Sequence, residues 1–514
     1  MKCDLVCIDK KPQEYRKLFW GDYGNFNRID FTNFEIFKKI AENSESNTWF
    51  INEIDCTKDR EGWERLPENA KRMFRLNIVY QTLMDSLVPG IFDKLSDFST
   101  DSWLTYLYSR IFTEEQIHCL REDDEILTDK GWKKLKDLTM DDKVANFYLD
   151  EMIVKYENPI NIEKQKYKGD VIKIYSKENY FEYIVTPKHR VLFKYENNEW
   201  GVEQARYFDP YFKIPFYDEN SGEITFSDFG EFDKTLVFYE GNIVGVEVPS
   251  TFIIVRFNGK YVAITGNSLS YSSGITQAFG ENGSEILDIV YDDEILKKRV
   301  ETEQKIAYRF IKEVYPLKEP NDNAKKIILE LLYRTLLLEG VKFPFSFFVT
   351  WNINLQYNNA IQGFSHLLQL IAWDEMTVHT ATGVNLINIL RKEKDQGFSH
   401  LFENGWFSKM VKEVTKEVID LEMMWIDYLL QEGDIPGFNK EIGEYFVKYW
   451  ANKRLKEVKE EPLYKGFEKE NDIIQWFNNY RNLNNKKVSL QEADNTNYMK
   501  GVLKNDILDY EFDK

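Results

Sequence analysis

Six side chains of the types that hold transition metals are spread over four helical stretches: Asp85, Glu115, His118, Glu339, Glu375 and His379. Four carboxylates and two imidazoles are the donor set with which a four-helix bundle holds two iron or manganese ions, the carboxylates bridging and one imidazole going to each metal. Glu115 and His118 stand three apart on one helix, so both can face one ion. Glu375 and His379 stand four apart, a spacing that shares a helix face and whose additional residue a π-bulge would absorb. Glu339 lies in Leu337-Leu338-Glu339-Gly340-Val341-Lys342-Phe343, where an unpartnered carboxylate would be costly to bury, so a partner is implied.

These residues need helices to carry them, and the spacing supplies them. Residues 67–86 have helical periodicity after a first-turn proline. Ser102 to His118 forms the next helix, with Trp103, Leu104, Leu107, Ile111 and Phe112 as its apolar stripe. Helical character returns after Ser268, through 292–313, 322–343, 355–392 and 406–432. Between Cys119 and Asn267 the pattern changes to short β-type runs, with Asn258-Gly259 as a two-residue hairpin signal. An all-β module therefore lies inside an all-α protein, and its boundaries divide the chain into 1–118, 119–267 and 268–514.

Deleting residues 119–267, a stretch of 149, joins His118 to Ser268. Tyr271 then falls four positions after His118, one turn along the same helix face. The last twenty residues, which include Tyr498, lack periodicity and read as a flexible tail.

Bulk properties narrow the function classes. A net charge of −19 over 514 residues argues against a protein that binds a phosphate backbone, so no nucleic-acid partner is expected. Four cysteines and no basic-then-apolar leader fit a reducing cytoplasm, bacterial or that of a virus-infected cell. The most apolar run, Phe343 to Trp351, is too short to span a bilayer, so no membrane association is expected.

Three stretches together carry a family resemblance: Tyr80-Gln81-Thr82-Leu83-Met84-Asp85-Ser86; Glu115-Gln116-Ile117-His118 joined to Ser268-Leu269-Ser270-Tyr271; and Leu338-Glu339-Gly340-Val341-Lys342-Phe343. Residues 1–118 and 268–514 resemble the radical-generating small subunit of class I ribonucleotide reductase. The resemblance implies an all-α ferritin-like bundle with a diiron carboxylate centre, manganese being possible. That centre would react with O2, with an electron donor, to make a tyrosyl radical, here on Tyr271. It also implies an apolar pocket of Phe343, Phe347 and Ile371 around the radical. Trp49 and Asp374 would begin a radical-transfer route with His118, and Tyr498 would continue it. A homodimer is expected, docking by its C-terminal tail on a large subunit where nucleotide reduction takes place.

Cys119, Thr186-Pro187-Lys188-His189 and Thr265-Gly266-Asn267-Ser268 carry a second resemblance, to an intein of the Hedgehog/intein (HINT) fold. In that scheme the Cys119 thiol attacks the preceding carbonyl, Thr186 and His189 activate the scissile amide, Ser268 receives the acyl group and Asn267 cyclises to release the insert. Gly266 stands where many inteins have a histidine that assists the asparagine. The length fits a mini-intein without a homing endonuclease. Rival readings are a diiron oxygenase or desaturase, which needs a substrate cavity, and a ferritin-type iron-binding protein, which forms a large cage.

Overall fold

The structure is a computed structural model that describes residues 17–21, 34–47, 54, 56, 58–115, 293–482 and most of 120–266, where short stretches including 178–180, 187–188, 196–199 and 228–231 fall outside it. It divides into two compact units: Met1–Glu115 with Asp288–Lys514, and Gln116–Leu287. Among the described residues no helix is long and apolar enough to cross a membrane.

The first unit is helical. Its centre is Phe343–Gln356, whose residues from Phe343 to Asn354 are all buried; a helix that is apolar all round can only be stable in a core. Glu68–Phe98, Gln362–Trp373 and Lys440–Glu457 pack against it. Ser102–Glu115 lies along Glu68–Phe98, and Thr380–Leu390 lies along Asp322–Leu337. Starts are set locally by side-chain caps: Asp293, Asn321, Asn439 and Asn471 each accept backbone N–H groups of the helix that follows.

Two helices run past their sequence limits. Glu68–Phe98 continues beyond Ser86 through Pro89 and Gly90, because Val88, Ile91, Phe92 and Leu95 keep the buried face going. The helical rod expected over 322–343 continues to Gln356, through a π-turn at Leu338–Lys342. The rod expected over 355–392 begins instead at Gln362. The break holds Asn358 and Asn359 at φ +56° and +54°, a left-handed conformation that asparagine tolerates better than most residues.

The second unit is all-β among its described residues, apart from a short 3-10 turn at Leu135–Asp137. Its longest feature pairs Asn161–Ser176 with Phe232–Glu247 over their full lengths, from Asn161 opposite Glu247 to Ser176 opposite Phe232. With Leu120–Arg121 and Glu182–Val185 this hairpin closes a four-stranded barrel, and ten further strands form a second sheet. Alternate residues such as Ile172, Ile174, Val244 and Val246 enter a core shared with Leu120, Tyr183, Val185, Val255 and Phe257. The hairpin at Asn258-Gly259 has three residues between its last pair, Phe257 and Tyr261, rather than two. Gly259 supplies the positive φ, +67°, that the longer turn needs.

Candidate functional site

Two π-turns build a buried cluster in the helical unit. One, Leu338–Lys342, carries Glu339; the other, Asp374–His379, carries Glu375 and His379. A π-turn inserts one residue into a helix and re-aims the side chains around it. Thr380 stabilises the second turn: its N–H donates to the Glu375 carbonyl, and its hydroxyl donates to the same oxygen at 3.0 Å. At Gly340 a Cβ would meet Arg454 Cδ at 2.5 Å, so the residue after Glu339 has to be small or that arginine must move.

Glu339, Glu375 and His379 each offer a ligand atom, and these atoms lie within 4.8 Å of one another. His379 Nδ1 is 2.8 Å from Glu375 Oε2 and 3.7 Å from Glu339 Oε2. All three residues are buried. Among the described residues neither oxygen of Glu339 has a hydrogen-bond partner. Burial, with the Glu339 charge beside it, pushes the Glu375 carboxyl well above the usual carboxylate range. Burial lowers the basicity of His379, but the facing Glu375 and Glu339 more than offset it, and its pKa is raised. Buried anions this close, with acceptor oxygens unsatisfied, call for a cation. The donor set fits a transition metal held by carboxylate and imidazole.

Apolar and aromatic groups close the surroundings. Phe92 sits edge-on to His379 at 5.4 Å and stacks on Tyr108 at 5.8 Å. Phe343, Phe347 and Ile371 are buried, the two rings stacked at 6.1 Å. Sequence reasoning missed the charged groups next to them. Arg299 makes a bidentate pair with Glu422, at 2.8 and 2.7 Å, with both side chains fully buried. Lys342 pairs with Glu303 at 2.7 Å. The Arg299 guanidinium lies 3.6 Å from the centre of the Tyr80 ring and 4.6 Å from that of Trp425. Burial raises the Tyr80 pKa well above 10, and its hydroxyl finds no partner among the described residues. The only trace of these pairs in the sequence is charged residues within helical stretches, which solvated faces also produce.

In the β unit the described ends of the 119–267 stretch meet one turn. Leu120 pairs with Val185, which precedes Thr186. Thr265 pairs with Val191, two residues after His189. The turn is closed by the His189 N–H, which donates to the Thr186 carbonyl at 2.9 Å. The His189 ring is fully buried, with Nε2 2.6 Å from Thr265 Oγ1. Tyr183 OH also hydrogen-bonds that hydroxyl, and Thr265 Oγ1 lies 3.2 Å from the Arg190 carbonyl oxygen. Burial, with the Arg190 charge adding to it, pulls the His189 pKa down to about 3. Thr265 stands in the C-terminal motif without a role assigned to it, and Tyr183, on a distant strand, carries no signal in the sequence.

The structure thus brings Glu339, Glu375 and His379 together, with Asp374 partly buried at the start of the same π-turn, and places Thr186 and His189 in one turn. Asp85 falls within Glu68–Phe98 and Glu115 ends Ser102–Glu115, their side chains lying outside the described part. Trp49, His118, Cys119, Asn267, Ser268, Tyr271 and Tyr498 lie outside the described residues.

A ferritin-like helical unit with a carboxylate–imidazole cluster defines a metal-carboxylate bundle protein. Residues 268–472 match the family model described as "Ribonucleotide reductase, small chain". A ribonucleoside-diphosphate reductase subunit beta of Buchnera aphidicola subsp. Baizongia pistaciae is 22% identical, covering 98% of this chain and 97% of its own. A subunit beta of Treponema pallidum is 28% identical over 35% of this chain and 49% of its own. Among solved structures, the ribonucleotide reductase R2 subunit of Clostridium botulinum matches with a TM-score of 0.55 at 14% identity, covering 94% of this chain and 98% of that one. Residues 268–472 are thus similar to the ribonucleotide reductase small chain, and the helical unit shares the fold of that R2 subunit. A split intein structure, titled as an AceL NrdHF class 3 splice-inactive variant, matches over 30% of this chain and 99% of its own at 18% identity and TM-score 0.28, so the reading of the β unit rests on its own residues.

Proposed function

We propose that the chain is the precursor of a class I ribonucleoside-diphosphate reductase small subunit, made active by excision of residues 119–267. The observation that carries the reductase reading is the cluster of Glu339, Glu375 and His379 on two π-turns. Asp85, Glu115 and His118 complete the donor set. When bound, two iron or manganese ions would supply the O2-driven one-electron oxidation of a tyrosine. The protein's own groups do the rest. The three buried donors orient the ions, Phe343, Phe347 and Ile371 keep water from the oxidised ring of Tyr271, and Trp49, Asp374 and Tyr498 lead toward the large subunit. The spliced protein works as a cytoplasmic homodimer bound to that subunit by its tail.

For the insert, the carrying observation is that Leu120 and Thr265 both pair beside the Thr186–Arg190 turn. Cys119 would then attack the preceding carbonyl, Thr186 and His189 would polarise that amide, Ser268 would take the acyl group, and Asn267 would cyclise. This is the splicing chemistry of a HINT domain with boundaries at Cys119 and Asn267. Intact-mass spectrometry of freshly expressed protein tests it: products of 365 and 149 residues, with His118 joined to Ser268, are expected. A single 61.2 kDa species would overturn the splicing reading. The 365-residue product should then show a tyrosyl-radical EPR signal with metal and O2, and no signal would overturn the class I reading.

A further inference from the structure

Residues 119–267 hold one histidine, His189, so any step there that needs an imidazole depends on that ring. Gly266 leaves no room for another beside it, because even a Cβ would lie 2.5 Å from Arg190 Cβ and 3.0 Å from its carbonyl oxygen. We propose that His189 serves both splice junctions, and that Thr265, with Tyr183 behind it, is the positioning residue that allows this. The inference rests on the splicing reading above.

The hydrogen bonds assign the proton. Thr265 Oγ1 has one hydrogen to give and two candidate acceptors, His189 Nε2 at 2.6 Å and the Arg190 carbonyl at 3.2 Å. Tyr183 OH contacts the same oxygen and can donate to it. We assign the Thr265 hydrogen to the shorter contact, Nε2. A neutral ring that accepts at Nε2 carries its proton at Nδ1. Nδ1–H is then the donor that enters the chemistry.

At the first junction Cys119 Sγ bonds to the carbonyl carbon of residue 118 and the bond from that carbon to the Cys119 nitrogen breaks. The nitrogen takes the proton of His189 Nδ1, and the proton lost by the thiol restores it. The products are a thioester and a free amine, with no net gain or loss of protons. At the second, the Asn267 side-chain nitrogen bonds to its own main-chain carbonyl carbon and the bond to the Ser268 nitrogen breaks. The proton shed by the side-chain amide ends on the Ser268 amine. Thr265 lies on the strand that leads into Asn267 and holds the ring of the turn that faces Leu120, so one hydroxyl ties the proton carrier to both ends.

The test uses the full chain in two backgrounds, with rates read by intact mass. Asn267→Ala isolates dithiothreitol-induced cleavage at Cys119, and Cys119→Ala isolates cleavage after Asn267. Thr265→Val should slow both reactions by about tenfold or more, part of the ~100-fold that general acid–base catalysis supplies. Thr265→Ser, which keeps the hydroxyl, should restore both. Loss in the second background alone would make Thr265 a mere neighbour of Asn267 and overturn the proposal, as would no loss in either. If Thr265→Val loses its near-ultraviolet dichroism, Tyr183→Phe carries the test: both rates should fall, and unchanged rates overturn it. Absence of cleavage in the unsubstituted chain and in both backgrounds would overturn the splicing reading and this inference with it.

Discussion

His379 and His189 are both fully enclosed, yet burial ends in opposite charge states. His379 faces two carboxylates and is driven toward its protonated form. His189 faces the Thr265 hydroxyl, with a guanidinium nearby, and is driven down to about 3. Burial alone disfavours charge in either ring, so the difference is made by what stands opposite. The first environment suits a cation, and the second suits a neutral proton carrier.

The largest expected effect breaks the carboxylate side of this comparison. In the spliced protein Glu375→Ala or Glu339→Ala should lower metal affinity by at least ~100-fold, since loss of even an outer partner costs 10–100-fold. Metal content after dialysis checks this; full retention would remove both residues from the site.

Next comes the buried pair beside the cluster. Arg299→Met strands the Glu422 carboxylate in the core and should cost about 3–5 kcal/mol, whereas Arg299→Met with Glu422→Leu should recover most of it. Urea unfolding of the spliced protein reads both, and equal losses would mean that the arginine is needed for its packing on Tyr80 and Trp425 rather than for its charge.

A smaller effect tests the hydroxyl side. His189 has a folded pKa below its unfolded value of about 6.5, so the unfolded chain binds more protons between those values. Its contribution is whole above pH 6.5 and falls as pH drops toward 3, by at most about 1.4 kcal/mol per pH unit. Acid unfolding of the Cys119→Ala, Asn267→Ala chain, followed at the β unit, should begin at lower pH when His189 is replaced by Gln. An unchanged profile would mean that His189 is not held neutral.

How much of this was legible follows from particular residues. Glu339, Glu375 and His379 could be read because a carboxylate in an apolar helix needs a partner, and because the i,i+4 spacing shares a helix face and leaves a residue for a π-bulge to absorb. The π-turn Asp374–His379 is that bulge. Arg299 and Glu422 could not be read, because they are 123 positions apart and each alone looks like a solvated helix residue. The meeting of Tyr183 with Thr265 was invisible for the same reason: it depends on strand register in the barrel and sheet, and nothing local to either sets that.

The smallest change separates the two explanations of Gly266. If the missing side chain were a catalytic loss, Gly266→His would accelerate cleavage after Asn267. In this structure any Cβ there presses on the Arg190 backbone and side chain, so Gly266→Ala should cost about 1 kcal/mol by overpacking and Gly266→His should slow cleavage. The crowding moves Arg190, which follows His189 directly, so the first junction should slow as well. A histidine that speeds the second junction and spares the first would show that the turn gives way, and that a second imidazole is tolerated where the structure leaves none.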